Sequence, residues 1–211
     1  MRRVVHAVAP VRICDVGGWT DTWFAGHGAV LNLAVTPGVQ VRVEARPPDG
    51  GPSVVIEVEN EGERLSGPYP LLEAAIDESR LRDHLAVRVV VRSDAPMGAS
   101  MGTSAAVVVA LLGALDALTP GRRTPLEVAA AAHRVETDRL GLQSGIQDQL
   151  CAASGGISFI EMPAYPSATV TRLDVADAAW HELDRRLLLV FLGPHRSSPV
   201  HEQVIAGLAA R

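Results

Sequence analysis

Alternating apolar and polar residues dominate residues 1–90 of the chain and predict β-strands there. In "VQVRVEAR" (39–46) the valines and alanine alternate with polar residues, which is the period of a half-buried strand. The runs "VVIEVE" (54–59) and "LAVRVVVR" (85–92) repeat this pattern, with Val87, Val89 and Val91 on one face. The turn residues of "PPDGGP" (47–52) predict a hairpin between the first two strands. "YPLLEAAIDESRL" (69–81) predicts a short amphipathic helix.

Beyond Asp94 the spacing changes to that of helices. Residues 104–118 are apolar almost all round, which predicts a buried helix. A second helix is expected from Pro125 to about Leu140, because Thr124 can cap it and Glu127 completes a capping box. The sequence further predicts a short helix around "IQDQLCAA" (146–153) and a helix in the tail "SPVHEQVIAGLAAR" (198–211), with strands near "GISFIEM" (156–162), "ATVTRLDV" (168–175) and "RLLLVFLG" (186–193).

Composition narrows the classes of function. A chain of 211 residues with 47% apolar and 20% charged residues has the composition of a soluble globular protein. Its net charge of −5 and its lack of a basic stripe argue against a nucleic-acid partner, and its longest apolar run is too short to cross a membrane. The N-terminus "MRRVVHAVAP" lacks the apolar core of a secretory signal, which predicts a cytoplasmic protein. All 19 basic residues are arginines, so a P-loop ending in Gly-Lys-Ser/Thr is excluded.

The segment "PMGASMGTSAA" (96–106) connects a predicted strand to the buried helix. Gly98 and Gly102 let the backbone approach a ligand, and free amides at a helix start attract an anion. The hydroxyls of Thr103 and Ser104 can cap the helix or complete the oxygen shell of a metal ion. A phosphate-binding loop and an ordinary strand-to-helix turn are both compatible with this segment.

A second glycine-rich segment lies near the N-terminus, in "APVRICDVGGWTDTWFAGHGAVLNLAV" (9–35). Arg12 falls in a strand-like stretch, and a Gly-Gly-Trp-Thr-Asp turn follows it. Asp21 can offer a carboxylate to sugar hydroxyls, with Gly18 close by and Trp19 as an apolar wall. The alternative is that Asp21 caps a turn and that Trp19 only fills space.

Two further carboxylates each allow a functional and a purely structural interpretation. Glu136 lies at the border of an apolar helical stripe, where it can reach a magnesium ion or pair with Arg134 or Arg139. Asp148, in "GLQSGIQDQLCAASGG" (141–156), suits the alignment of a hydroxyl during phosphoryl transfer if an arginine is near. It can equally accept hydrogen bonds from backbone amides at a helix start.

Taken in order, these segments resemble the motifs of the superfamily of galactokinase, homoserine kinase, mevalonate kinase and phosphomevalonate kinase, the GHMP kinases. "PMGASMGTSA" is similar to that family's Pro-x-Gly-x-Gly-Leu-Gly-Ser-Ser-Ala loop. The segment with "APVRI", "GGWTD" and "GAVLNLAV" resembles the sugar-binding motif of the fucokinase and heptose-phosphate kinase branch. "GIQDQ" resembles the Gly-Ile-x-Asp-Gln stretch of galactokinase-type members. The resemblance extends from about residue 6 to residue 200.

The resemblance implies ATP and Mg²⁺ as cofactors and a role for each matching residue. Asp148 corresponds to the catalytic aspartate and Arg12 to the arginine that accompanies it. Ser104 and Glu136 correspond to the magnesium ligands. The implied phosphate-binding residues are Pro96, Gly98, Ser100, Gly102, Thr103 and Ser104. The implied sugar-binding residues are Gly18, Trp19 and Asp21.

The fold implied is the two-domain α+β fold of the GHMP kinases. Residues 1–162 correspond to the N-terminal, ATP- and substrate-binding domain, which resembles ribosomal S5 domain 2. Residues 163–211 correspond to the start of an incomplete, ferredoxin-like C-terminal domain. Two departures from the family are visible: Ser100 stands where the loop has its middle glycine, and the Gly-rich third motif does not occur before Arg211.

The activity implied is phosphorylation of a hydroxyl, at the anomeric position, of a sugar or sugar phosphate. The expected partner is therefore a small-molecule sugar, and a homodimer is one assembly that the sequence leaves open. Because of the two departures, two alternatives remain. One is a truncated, catalytically inactive protein that binds nucleotide or sugar, and the other is a kinase for a non-sugar alcohol such as mevalonate or homoserine.

Overall fold

The computed structural model describes residues 2–79, 81, 85–119, 121–194, 203 and 205–207, apart from the side chain of Asp15. The described strands form one seven-stranded sheet: β1 Arg3–Val16, β2 Gly28–Arg46, β3 Val54–Asn60, β4 Glu63–Leu65, β5 Ala86–Ser93, β6 Ile157–Ala164 and β7 Ser167–Leu173. The helices are α1 Pro70–Glu78, α2 Thr103–Asp116, α3 Pro125–Arg134, α4 Gln147–Ser154 and α5 Asp177–Arg186, and a π-helical turn, Val135–Arg139, follows α3 directly. No helix among these residues is long and apolar enough to cross a bilayer.

Strand β2 is the centre of the sheet. It pairs with β1 along one edge, and with β5 (through 39–46) and β6 (through 28–33) along the other. The predicted alternation is confirmed, since Val39, Val41 and Val43 are buried together with the matching valines of β5. The predicted hairpin at 47–52 is wrong, because β5 lies between β2 and β3 and runs parallel to β3. The more apolar β5 takes the buried central position, and the half-buried β3 lies nearer the edge.

The helices cover the apolar face of the sheet. Helix α2 packs on β1 and β2, and its Leu111, Leu112 and Leu115 are fully buried, which confirms the predicted buried helix. The capping box of α3 is also confirmed: Thr124 Oγ1 accepts from the amide of Glu127, whose carboxylate accepts from the amide of Thr124. A smaller core joins α3 and α4 to β2 and β6. These contacts place the start of α2 and the start of α4 beside β1.

The C-terminal part differs most from the prediction. The strand predicted at 186–193 is wrong: residue 186 ends α5, which was not predicted, and 187–193 has no regular structure. Leu188 and Leu192 are 85% and 94% exposed there, because the apolar run has no described strand to pair with. The helix predicted at 198–211 lies mostly outside the described residues. β6 and β7 form a hairpin through Tyr165 and Pro166, and the domain boundary after residue 162 stays a prediction.

Candidate active site

A cavity of about 470 Å³ brings together most of the predicted site residues. Its walls come from β1, the loop between β1 and β2, the loop before α2 and the start of α4. Pro96 lies beside it, on a smaller cavity shared with residues 189–193, and Glu136 is not among the described residues that line either one. The predicted site residues that line the large cavity are Arg12, Gly18, Trp19, Asp21, Gly98, Ser100, Gly102, Thr103, Ser104 and Asp148.

Arg12 and Asp148 form an ion pair at the floor of this cavity. Arg12 Nε donates to Asp148 Oδ1 over 2.7 Å, and the two side chains are 19% and 27% exposed. Burial lowers the pKa of Arg12, but the attraction of the Asp148 carboxylate outweighs burial and holds that pKa above its ordinary value. Asp148 was interpreted either as a carboxylate near an arginine or as an acceptor of backbone amides at a helix start. The structure agrees with the first interpretation.

The same arginine fixes the loop before α2. Arg12 Nη1 donates to the carbonyl of Ser100 over 2.8 Å, and the amide of Arg12 donates to the carbonyl of Met101 over 2.9 Å. Because the carbonyl and the following N–H of a trans peptide point in opposite directions, the amides of Met101 and Gly102 face away from Arg12. The loop thus turns two amides outward at the place where α2 begins.

The backbone of this loop alternates between positive and negative φ angles. Gly98, Ser100 and Gly102 have φ values of +75°, +56° and +69°, and the residues between them do not have positive φ. Such alternation directs successive amides into an anion-binding concavity. Ser100, which stands where the family's loop has its middle glycine, thus adopts a backbone angle that is unfavourable for serine. A Cβ on Gly102 would lie 3.1 Å from the Asp148 carboxylate, so glycine allows the loop to touch the ion pair.

The start of α2 is open to an anion. Its N-cap is Gly102, no side chain caps it, and its first turn contains no acidic residue. Its first amides therefore have no intrahelical acceptor, and the helix has no carboxylate of its own in the first turn to balance the positive end of its dipole. Thr103 and Ser104 line the cavity as well. This is the geometry of a phosphate site at a helix start.

Asp21 joins the loop after β1 to the start of α4. It is 3% exposed, and its two carboxylate oxygens accept from the backbone and side-chain amides of Gln147, each over 3.0 Å. Burial raises the pKa of Asp21, and the bond from the Gln147 backbone partly offsets this. A Cβ on Gly145 would lie 2.1 Å from Asp21 Oδ2, so glycine is required at that approach. Asp21 therefore caps a distant helix and lines the cavity at once.

Glu136 lies behind the cavity wall, in the π-helical turn. It is 6% exposed, and its Oε2 accepts from Ser144 Oγ over 2.5 Å and from Gln149 Nε2 over 2.8 Å. Burial raises its pKa to about 7. The alternative ion pair with Arg134 or Arg139 is wrong, because both arginines bind Glu78 on α1.

The second carboxylate oxygen of Glu136, Oε1, is buried and has no hydrogen-bond partner among the described residues. These residues contain no cluster of three or more His, Cys, Asp or Glu side chains that could hold a metal ion. A magnesium ion keeps several non-protein oxygen ligands, so one or two protein oxygens are enough beside a nucleotide. Ser104 and Glu136 are the two oxygen donors predicted for that small set, and of the two only Ser104 lines the cavity.

Sequence reasoning missed the two glutamines that flank Asp148. Gln147, Asp148 and Gln149 are consecutive on the first turn of α4, and they bind Asp21, Arg12 and Glu136 respectively. The letters "IQDQ" carried a weak signal, because two glutamines beside an aspartate are unusual at the start of a buried helix. Trp23 and Phe24, which also line the cavity, were missed as well.

Comparison with known proteins agrees with this geometry. Residues 70–156, which include the loop before α2 and the start of α4, match the family described as GHMP kinases N terminal domain. Over these residues the chain is similar to a GHMP kinase N-terminal domain. The sequence resemblance to GHMP kinases and the α+β fold that it implied are therefore confirmed.

Among curated relatives, the chain is similar to the mevalonate kinase of Thermococcus sibiricus, with 39% identity over 42% of the chain. It is 27% identical to the bifunctional fucokinase/GDP-fucose pyrophosphorylase of Arabidopsis thaliana over 89% of the chain. The chain spans only 26% and 20% of the lengths of these two proteins. Among solved structures, a D-glycero-D-manno-heptose 1-phosphate kinase from Bacteroides thetaiotaomicron matches with a TM-score of 0.68 and 25% identity, covering 86% of this chain and 63% of that one.

Proposed function

We propose that this chain is part of an ATP- and Mg²⁺-dependent kinase that phosphorylates a hydroxyl of a sugar or sugar phosphate, at the anomeric position, in the cytoplasm. The observation that carries the proposal is that one arginine, Arg12, binds both Asp148 and the loop carbonyl of Ser100. This places a carboxylate next to a helix start suited to phosphate, and phosphoryl transfer needs those two parts in contact.

In the proposed reaction the acceptor hydroxyl lies between Asp148 and the loop before α2. The hydroxyl oxygen forms a bond to the γ-phosphorus while the bond from that phosphorus to the bridging oxygen of ADP breaks. Asp148 takes the proton of the hydroxyl, and the amides at the start of α2 stabilise the charge on the phosphate oxygens. Arg12 positions both groups. Mg²⁺, bound through Ser104 and Glu136, would supply neutralisation of the phosphate charge.

Two observations favour a sugar acceptor. Asp21 and the aromatic residues of the loop after β1 line the cavity beside Asp148, which offers both hydroxyl acceptors and an apolar wall. The match to the fucokinase relative also extends over 89% of the chain, whereas the match to the mevalonate kinase covers 42%.

The test is a transfer assay with labelled ATP on fucose, galactose, heptose 7-phosphate and mevalonate. We expect transfer to at least one sugar and a loss of at least a thousandfold in Asp148→Asn, because the proton acceptor is removed. Asp174→Asn, on an exposed connection, is the matched control and should keep full activity. Transfer to mevalonate but to no sugar would overturn the sugar assignment. Nucleotide or sugar binding without turnover, unaffected by Asp148→Asn, would instead support the inactive binding protein.

A further inference from the structure

A single carboxylate on α1 binds two arginines, one at each end of the π-helical turn. Glu78 Oε1 accepts from Nε and Nη2 of Arg134 over 3.2 and 2.9 Å, and Glu78 Oε2 accepts from Nε and Nη2 of Arg139 over 3.2 and 2.8 Å. These three residues are here called the arginine clamp. Because each guanidinium donates twice, the clamp has a more specific geometry than an ordinary surface ion pair.

The width of the π-helical turn allows one carboxylate to reach both arginines. Arg134 is the last residue of α3 and Arg139 is the last residue of the turn, so they are five positions apart. In an α-helix, with 3.6 residues per turn, side chains five positions apart point about 140° away from each other. In a π-helix the hydrogen bonds join residues five apart, which brings such side chains to the same side. The clamp therefore favours the wide turn over a regular α-helix.

The position of Glu78 is not explained by the stability of its own helix. It is the last residue of α1, where the negative end of the helix dipole disfavours a carboxylate, and the last turn of α1 contains no basic residue. Leu72 and Ala75 bury α1 in the core, so the carboxylate projects from an anchored helix. The Glu78 side chain is only 13% exposed, which strengthens its attraction to the two arginines. The π-helical turn is thus fastened to a rigid element.

Glu136 lies in the same turn and points to the opposite side. It follows Arg134 by two positions, which is about 160° around a helix, and it is buried against Ser144 and Gln149. The amide of Leu142 closes the turn behind it by donating to the Glu136 carbonyl over 2.8 Å. If the turn contracted to an α-helix, the residues after it would rotate by about 100° relative to α3. The Glu136 carboxylate would then lose its alignment with both partners.

We infer that Glu78 is a positioning residue: through Arg134 and Arg139 it holds the π-helical turn open and thereby fixes the position of the Glu136 carboxylate. This inference rests on the proposed function, in which Glu136 is a magnesium ligand. Glu78 is not among the residues that line the cavity, so it acts on the metal only through the turn. π-Helical turns inside α-helices occur frequently at functional sites, and here the arginine clamp gives this turn a physical cause.

Binding of the non-hydrolysable ATP analogue AMPPNP, measured by calorimetry without Mg²⁺ and at a series of Mg²⁺ concentrations, tests this role. In Glu78→Gln a neutral amide replaces the carboxylate between the two guanidinium groups. We expect the apparent Mg²⁺ affinity to fall about tenfold, while the affinity for AMPPNP without Mg²⁺ stays unchanged. Glu57→Gln is the matched control, because Glu57 also binds two arginines, Arg88 and Arg64, but on the exposed face of the sheet. It should leave both affinities unchanged.

Two further variants separate the clamp from the metal ligand itself. Arg139→Gln opens one arm of the clamp, so it should weaken Mg²⁺ affinity less than Glu78→Gln, and it decides by the same criterion if Glu78→Gln does not fold in urea titrations. An unchanged Mg²⁺ affinity in the folded variant, or an equal loss of AMPPNP affinity with and without Mg²⁺, would overturn the inference alone. An unchanged Mg²⁺ affinity in Glu136→Gln would instead overturn the proposed metal ligand, and the inference with it.

Discussion

Gln149 donates its side-chain amide to Glu136 Oε2 over 2.8 Å, and both side chains are buried. Gln147 binds Asp21 and Asp148 binds Arg12 from the same helical turn. The first turn of α4 therefore fixes the positions of the proposed sugar-binding, catalytic and metal-binding groups relative to one another. A change in any one of these three residues should disturb one function more than the other two.

Removal of the Gln149 amide should weaken metal binding. In Gln149→Met the carboxylate of Glu136 keeps only the bond from Ser144, so its charged form is less well oriented and less stable. Loss of a residue that orients a metal ligand typically costs about 10–100-fold in metal affinity. We expect a reduction in this range in the Mg²⁺ dependence of AMPPNP binding, measured by calorimetry. Gln40→Met, at an exposed position on β2, is the control, and an unchanged Mg²⁺ dependence in Gln149→Met would contradict the proposed metal ligand.

Arg12→Lys should impair the site although it conserves the charge. A guanidinium donates from a planar fork to Asp148 and Ser100 together, whereas an ammonium is a single point of charge. We expect kcat to fall about a hundredfold and AMPPNP to bind more weakly, as judged by initial rates and calorimetry. Arg92→Lys, in an exposed pair with Glu59, should change stability by less than about 0.5 kcal/mol and leave activity intact. Equal effects of the two substitutions would rule out a special role for Arg12.

Gly145→Ala should disrupt the junction between Asp21 and α4. The added Cβ would lie 2.1 Å from Asp21 Oδ2, so the loop or the helix must shift. Overpacking of this kind typically costs about 1–3 kcal/mol of unfolding free energy, which denaturant titration measures. Gly113→Ala is the matched control, because its Cβ would enter open space on α2 and should raise stability by about 0.5–1 kcal/mol. A Gly145→Ala protein as stable as the unmodified chain would mean that Asp21 is not held at this distance.

Ser100→Gly should stabilise the protein. Ser100 has a φ of +56°, and the left-handed region costs an L-residue about 1–2 kcal/mol relative to glycine, part of which the greater freedom of unfolded glycine offsets. We expect a net gain of about 0.5–1 kcal/mol in unfolding free energy. Ser100→Ala keeps the same backbone penalty and should show no such gain. If both variants behave alike, the strain at this position is negligible.

Stability of the metal-free protein should depend on the protonation of Glu136. Burial raises its pKa from the ordinary value of 4.5 to about 7, so the folded state binds the proton more tightly than the unfolded chain does. The free energy of unfolding therefore falls as pH rises from about 4.5 to 7, by about 3 kcal/mol from this group. Glu136→Gln should remove this component from the pH dependence of urea unfolding. The same slope in Glu136→Gln and in the unmodified chain would assign it to other groups.

Elements with a regular period could be predicted from the sequence, and strand partners could not. The valines of β5 and the all-round apolar α2 reveal their burial through spacing alone. The turn residues at 47–52 mark where β2 ends, but they carry no information on which strand lies beside it. The π-helical turn Val135–Arg139 is equally hidden, because its five residues are ordinary for an α-helix.

The residues of the site also fall into a group that could be predicted from the sequence and a group that could not. Arg12, Asp21 and Asp148 could be identified because each lies in a motif of the family, and all three line the cavity. Gln147 could not, since its role depends on Asp21, which is 126 residues away in sequence. Glutamine is usually a surface residue, and only the fold shows that this one is buried.

The arginine that shapes the loop before α2 lies 88 residues upstream of it, on a different strand. Three left-handed residues in a row of five are unstable by themselves, and the guanidinium of Arg12 is one contact that holds the carbonyl of Ser100. The segment "PMGASMGTSAA" is therefore only half of a binding element. Its transplantation into another scaffold would succeed only together with a neighbouring strand that carries an arginine at the height of the loop.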